Sequence, residues 1–253
     1  MLQRLKSFRF KKNYRGQSFV ELALVLPILL LLLLGVTEVA FYIGAYMDVL
    51  DLTRETARFA SARDPFALTG DLNCSTTDEL NFYYDSACMI SPPAGSANCV
   101  LSEYCNGFNP YISFNPATDD VVISVFTITG TSVSDQWPAP NGRWALSNVN
   151  FVSHTDTTFT PDDSPSSLTD NFRKDCEGNV IRSEPYFTEA EVESRLLNTS
   201  PHEKGYVAVE VYYCYNQVFN IPLFSIFVPN PIQIHAYTLM PLPGSIPTPT
   251  PIP

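Results

Sequence analysis

Residues 15–45 read RGQSFVELALVLPILLLLLLGVTEVAFYIGA, and this stretch decides the architecture of the chain. From Phe19 to Ala45 the apolar run is broken only by Glu21, Pro27, Thr37 and Glu38, with six leucines, Leu29 to Leu34, at its centre. About 20 apolar residues cross a hydrocarbon core, so the run predicts one membrane-spanning helix with some tilt. It is too long for the apolar part of an ordinary secretory signal, and no small-x-small site follows it. No cysteine stands just after it, which argues against a lipoprotein anchor. Ahead of the run, Arg4, Lys6, Arg9, Lys11, Lys12 and Arg15 are unaccompanied by any acid. The positive-inside rule then places residues 1–16 in the cytoplasm and the body outside. The expectation is a single-pass protein of the cell membrane, with the lipid bilayer as its first partner.

Charge separates the two ends of the molecule. Residues 46–253 carry nine Lys/Arg against 24 Asp/Glu. A body so acidic is not expected to bind nucleic acid or anionic lipid. All six cysteines, Cys74, Cys88, Cys99, Cys105, Cys176 and Cys214, lie in this body. An even number outside the cytoplasm predicts up to three disulfides, and fifteen connectivities are open. A metal site is the weaker reading, because there is no C-x-x-C pair and His154, His202 and His235 are scattered.

Helical spacing continues past the membrane. Val49, Leu52, Thr56, Phe59 and Ala60 fall close to one face, with Asp48, Asp51, Arg54, Glu55, Arg58 and Arg63 on the others. Pro65 pushes its predecessor out of the helical region. One helix from about Ser18 to about Arg63 is therefore expected, roughly 70 Å long at 1.5 Å per residue. Pro27 removes one of its backbone bonds, which membrane helices tolerate. Glu38 lies near the outer end, with Tyr42 and Tyr46 nearby as interface residues. It is expected to be solvated among headgroups or paired with another helix.

Residues 66–118 read as irregular and cross-linked, with short helical turns at most. Asp120 to Thr129 (DVVISVFTIT) is β-branched and ends at Gly130, the pattern of a strand. Residues 131–180 read as a long polar insertion, with an edge strand at Phe151–Thr160. Thr188 to Leu197 reads as a short helix with a capping box, Thr188 with Glu191. Gly205 to Val218 is the strongest strand, with Val207, Val209, Val211, Tyr213 and Tyr215 on one face. In Pro231 to Met240, Ile232, Ile234, Ala236 and Thr238 alternate with Gln233, His235 and Tyr237. Between these two strands Phe219–Pro229 is a bulky apolar loop that either dips to the membrane surface or covers the core. The tail Pro241–Pro253 is proline-rich and expected to be extended or disordered.

Basic residues, then Gly16, then Glu21 five residues on inside an apolar helix: this order resembles a type IV pilin-like prepilin. The run from Gly16-Gln17-Ser18-Phe19-Val20-Glu21-Leu22-Ala23 to Pro27, and then Thr53-Arg54-Glu55-Thr56-Ala57-Arg58-Phe59-Ala60, is similar to the TadE-like family. These are pseudopilins of Tad (Flp) pilus assembly. Leu22 stands where the family usually has an aromatic, and Thr56-Ala57-Arg58 is a looser form of its second segment. The resemblance covers residues 14–63. It implies cleavage between Gly16 and Gln17 by a membrane prepilin peptidase, and an assembly role for Glu21. Its implied partners are other pilins or pseudopilins and Tad assembly proteins.

The chemistry of the segment fits that implication. Glycine lets a backbone enter a protease cleft without a side-chain clash. Cleavage would free an amine on Gln17, four residues before Glu21, where it can neutralise a carboxylate that is costly in lipid.

No catalytic constellation is present: no G-x-S-x-G, no H-E-x-x-H and no phosphate-binding glycine loop. Neither an enzyme nor a cofactor is expected. The fold expected is α+β, pilin-like, with a long N-terminal helix packed outside the membrane on a small antiparallel sheet. The expected divisions are a leader at 1–16, the helix at 17–63, an extracytoplasmic domain at 64–240 and a tail at 241–253. Within it sits an irregular disulfide-linked insertion. The function expected is a pseudopilin-like part in pilus assembly or in the fibre. The alternative is a membrane-anchored binding module with an uncleaved signal anchor, which needs no cut at Gly16.

Overall fold

A computed structural model describes residues 17–65, 82–91, 95, 112, 114–115, 118–137, 144–146, 173–181, 186–196, 202–220 and 228–242. The chain divides into two compact units, Met1–Phe41 and Tyr42–Pro253. Helix α1 runs without a break from Gln17 to Ser61, with Pro27 inside it.

In the first unit nearly every side chain from Phe19 onward is exposed, including Leu22, Leu24, Leu29, Leu32 and Leu33. So much bare leucine is unfavourable in water and needs an apolar medium around it. The helix is long and apolar enough to cross a membrane, and no part of its most apolar window is buried. Within the run, the Thr37 hydroxyl donates to the Leu33 carbonyl at 2.8 Å, so its polar group is satisfied inside the helix.

In the second unit α1 changes character. Val49, Thr53, Thr56, Ala57 and Ala60 are buried on one stripe. The two threonine hydroxyls turn back to Val49 and Leu52 carbonyls at 2.7 and 2.9 Å, so neither needs an outside partner. On the exposed side Arg54 pairs with Asp51 and Arg58 with Glu55, contacts worth a few tenths of a kcal/mol at about 0.3–0.5 each. The helix ends two residues before the expected Arg63. Ala62 N donates to Phe59 O and Arg63 N to Ala60 O, so a tighter final turn consumes the last residues.

The sheet is antiparallel. Strands β1 (Asp120–Gly130), β2 (Ser132–Trp137), β3 (Trp144–Ala145), β6 (His202–Tyr215) and β7 (Ile232–Pro241) form it in the order β2-β1-β6-β7. The short β3 pairs with β1 at Val122 and Ile123. β4 (Arg173–Lys174) and β5 (Val180–Ile181) make a separate hairpin. Val121, Ile123 and Val125 lie opposite Val211, Val209 and Val207, and Val211 lies opposite Ala236. That face packs on the α1 stripe and on helix α2 (Phe82–Cys88), through Phe82, Tyr83, Ala87 and Ile90. Arg63 and Asp85 form an ion pair between the end of α1 and α2.

On the opposite face Phe126, Ile128 and Ala208 pack against Val133, Phe187 and Val192, the last on helix α3 (Glu189–Arg195). Both faces of β1 are therefore covered, so burial runs without alternation from Asp120 to Ile128, polar Ser124 and Thr127 included. Each fully buried Val or Ile there contributes about 1.5–3 kcal/mol of transfer free energy. The α+β architecture is as expected.

Besides β7 running on through Pro241, where the extended tail was expected to begin, the structure departs from the sequence pattern in three respects. Residues 131–180 are not a bare insertion, since β2, β3 and the β4–β5 hairpin fall there. β2 hides its nature because Val133 is its only buried residue. Gly130, at φ +68°, makes the turn that returns β2 along β1. Second, β6 begins at His202 and stops at Tyr215, three residues earlier at each end than expected. Third, the α3 cap is one-sided: Glu191 N donates to Thr188 Oγ1 at 3.2 Å, but the Glu191 carboxylate turns to Arg195 instead. The edge strand expected at 151–160 lies outside the described residues.

Candidate functional site

Among the residues expected to carry the assembly signal, Gly16 lies outside the described residues. Gln17 is the first residue of α1. Glu21, one turn later, is exposed on α1. The Gln17 backbone and Glu21 thus stand at the i,i+4 spacing that lets an amine and a carboxylate meet.

The cysteines are partly resolved. Cys176 and Cys214 form a disulfide with Cα atoms 5.5 Å apart, tying the β4–β5 turn to β6. Cys88 is also disulfide-bonded. Cys74, Cys99 and Cys105 lie outside the described residues.

Beside the bridge, Asp119 takes the Cys214 N–H on Oδ1 at 2.9 Å and the Asn115 N–H on Oδ2 at 2.8 Å. Burial pushes its carboxyl up to about 7, against these backbone hydrogen bonds, which lower it. An acid raised in the folded state binds protons there that the unfolded chain has already released. Its stabilising contribution is complete below the ordinary carboxylate range near 4 and is lost as pH rises through about 7. We predict that the denaturation midpoint of the detergent-solubilised protein falls from pH 5 to pH 8. Asp119→Asn should flatten that fall, and an unchanged pH profile in the variant would remove Asp119 as its cause.

A polar cluster that the sequence did not announce sits on the α3 face of the sheet. Glu210 lies mid-strand on β6 and is 2 % exposed. Its Oε1 accepts the Phe187 N–H at 3.0 Å. Its Oε2 accepts the Tyr186 N–H at 3.0 Å and the Tyr212 hydroxyl at 2.9 Å, and His235 Nε2 is 3.0 Å away. A buried carboxylate with this many donors has its hydrogen-bonding capacity filled.

Aromatic rings surround it. The His235 ring stacks on Tyr212 at 4.3 Å, within 4° of parallel, and Tyr186 stacks on Tyr237 at 4.0 Å. Arg195 reaches from α3 to the Tyr186 hydroxyl at 2.7 Å and holds Glu191 at 2.6 Å. Chemically the cluster clamps 186–195 onto the sheet. Among the described residues no group of three His, Cys, Asp or Glu could hold a metal ion.

The architecture is that of an α+β protein carrying one N-terminal apolar helix of membrane-spanning length. Compared with known families, residues 16–58 match the model described as TadE-like protein. The match begins at Gly16, includes Glu21 and Pro27, and ends at Arg58, so the resemblance read from those motifs holds over that segment. It stops short of α2 and the sheet. No curated protein and no solved structure matches the chain.

Proposed function

We propose that the chain is a single-pass, pseudopilin-like protein of Tad/Flp pilus assembly, acting as an assembly factor or a minor component of the fibre. The observation that carries this reading is the TadE-like match, which starts at the glycine preceding the apolar helix. In this reading the basic leader is cytoplasmic and a prepilin peptidase cuts between Gly16 and Gln17. Glu21 then pairs with the new amine, on the same helix or a neighbouring one. The second unit is extracytoplasmic, where the Cys176–Cys214 bridge is stable to the surroundings. The protein works by packing and exposed surface rather than by catalysis.

Mass spectrometry of protein extracted from membranes of a host with the cognate peptidase should find Gln17 as the N-terminus. In Gly16→Leu the precursor mass should persist, because the added side chain blocks entry to the protease cleft. Unchanged cleavage of that variant places the cut elsewhere. An intact N-terminus in the unmodified protein would leave a plain signal anchor.

A further inference from the structure

We propose that the Cys176–Cys214 bridge is a thiol–disulfide exchange site, opened and reclosed by a dithiol oxidoreductase, with Asp119 carrying the proton to and from the Cys214 sulfur. The site lies wholly in the second unit and stands whether or not the chain serves a pilus.

The two sulfurs are unequally placed. Cys176 is half-buried in the turn between β4 and β5, with Glu177 and Asn179 exposed beside it. Cys214 is 7 % exposed, on β6 next to its end. An incoming thiolate therefore reaches the Cys176 sulfur, and Cys214 is the leaving group. The turn is closed by bonds of its own, since Asp175 Oδ1 accepts the Glu177 and Asn179 N–H groups at 2.9 and 2.7 Å. Opening the bridge removes the covalent tie to β6 without undoing the turn.

The leaving sulfur is provided for. Cys214 Sγ lies 3.5 Å from the Thr118 carbonyl. A disulfide sulfur has no hydrogen to donate, so that contact becomes a hydrogen bond only when Cys214 is a thiol. The next residue, Asp119, takes the Cys214 N–H on Oδ1 at 2.9 Å. A carboxyl thus stands against the residue whose sulfur has to be protonated, and it is 2 % exposed. Acids crowd this corner. Asp120 adjoins Asp119, and Asp175 and Glu177 flank Cys176. Burial, then Asp119 and Asp48 of α1, push the neighbouring Tyr213 hydroxyl up. Burial and negative charge disfavour a thiolate in the same way, so Cys214 leaves most easily as a thiol. Asp119 holds the proton for it, because burial keeps its carboxyl protonated below about 7.

The exchange balances. The oxidoreductase thiolate bonds to Cys176 Sγ as the Cys176–Cys214 bond breaks. The electron pair stays on Cys214 Sγ, which takes the Asp119 proton, and Asp119 regains a proton from water. The second thiol of the oxidoreductase then attacks its own sulfur in the mixed disulfide and gives its proton to the released Cys176. Both cysteines end reduced and the dithiol ends as a disulfide; reclosure runs the steps backwards.

The test uses the full chain in detergent, with dithiothreitol as the probe dithiol, from pH 5.5 to pH 8.5. Acid quenching, alkylation and peptide mass read the thiols of Cys176, Cys214 and Cys88 separately. Cys88, also bonded and 8 % exposed, is the internal control and should open later. The rate per unit of dithiothreitol thiolate should fall about tenfold as pH rises through about 7, as a positioned proton donor is lost. Asp119→Asn should be about tenfold slower at pH 5.5 and flat across the range. Glutathione, a monothiol, should leave its adduct on Cys176 and a free thiol on Cys214. A flat wild-type profile, or an asparagine variant as fast as wild type at pH 5.5, overturns Asp119 as the proton carrier. An adduct on Cys214, or earlier opening at Cys88, overturns the exchange site itself. If the variant fails to fold, the wild-type profile and the adduct position still decide.

Discussion

Replacing Glu210 with alanine is expected to destabilise the second unit by about 3 kcal/mol or more, the largest effect of any single substitution at the α3 face. The carboxylate accepts the Tyr186 and Phe187 N–H groups and the Tyr212 hydroxyl, and His235 Nε2 lies within reach. Alanine leaves these groups facing a cavity. A buried donor stripped of its acceptor costs about 1–3 kcal/mol, and water can re-satisfy only those it can reach. The backbone donors belong to the segment leading into α3, so the helix should loosen before the sheet does. Glu210→Gln keeps one acceptor oxygen but turns an amide N–H₂ toward donors, and should lie between wild type and alanine. Denaturant titration of the detergent-solubilised chain, followed by tryptophan fluorescence, measures the difference. A loss under about 1 kcal/mol for Glu210→Ala would mean that water takes over the carboxylate's place.

Glu21→Ala is expected to leave membrane insertion intact and to reduce assembled pilus at least about tenfold, the effect of roughly 1.4 kcal/mol on a single equilibrium. This second prediction rests on the proposed function. Removing the acid makes α1 more apolar, so insertion cannot suffer for reasons of hydropathy. What is lost is the partner of the Gln17 amine, which then carries an unpaired charge beside lipid. Membrane fractionation and the amount of extracellular fibre separate the two effects. Normal fibre from the variant would count heavily against a pairing role for Glu21.

The sequence shows some elements better than others, for physical reasons. β6 and β7 were legible because their α1-facing residues, Val207 to Tyr215 and Ile232 to Thr238, alternate with residues of the other face. β2 was not, because an edge strand reading SVSDQW needs only Val133 inside, and its pairing depends on the Gly130 turn. Part of its support comes from Glu193, which accepts the Val133 N–H at 2.9 Å across 60 residues.

Glu210 is illegible in the sequence for a related reason. It occupies the polar phase of a strand, where a solvated acid is the ordinary expectation. What buries it is Tyr186 and Phe187, arriving from 24 and 23 residues earlier, and contacts at that separation leave no periodic trace. The processing segment is the reverse case. Its chemistry is written in consecutive residues from Arg15 to Glu21, so it needs no fold to be seen.

β1 and β6 are neighbours, yet β1 ends at Gly130 and β6 begins at His202. At ribosomal speed that gap takes roughly 4–14 s, during which β1 lacks the neighbour that supplies its longest ladder. An uncovered VVISVFTIT is the kind of β-branched, uncharged stretch that finds other chains. Asp119 and Asp120 stand directly ahead of it, the position at which charged gatekeepers suppress such pairing. Before β6 arrives they guard a nascent strand, and once it has paired they become part of the buried interior.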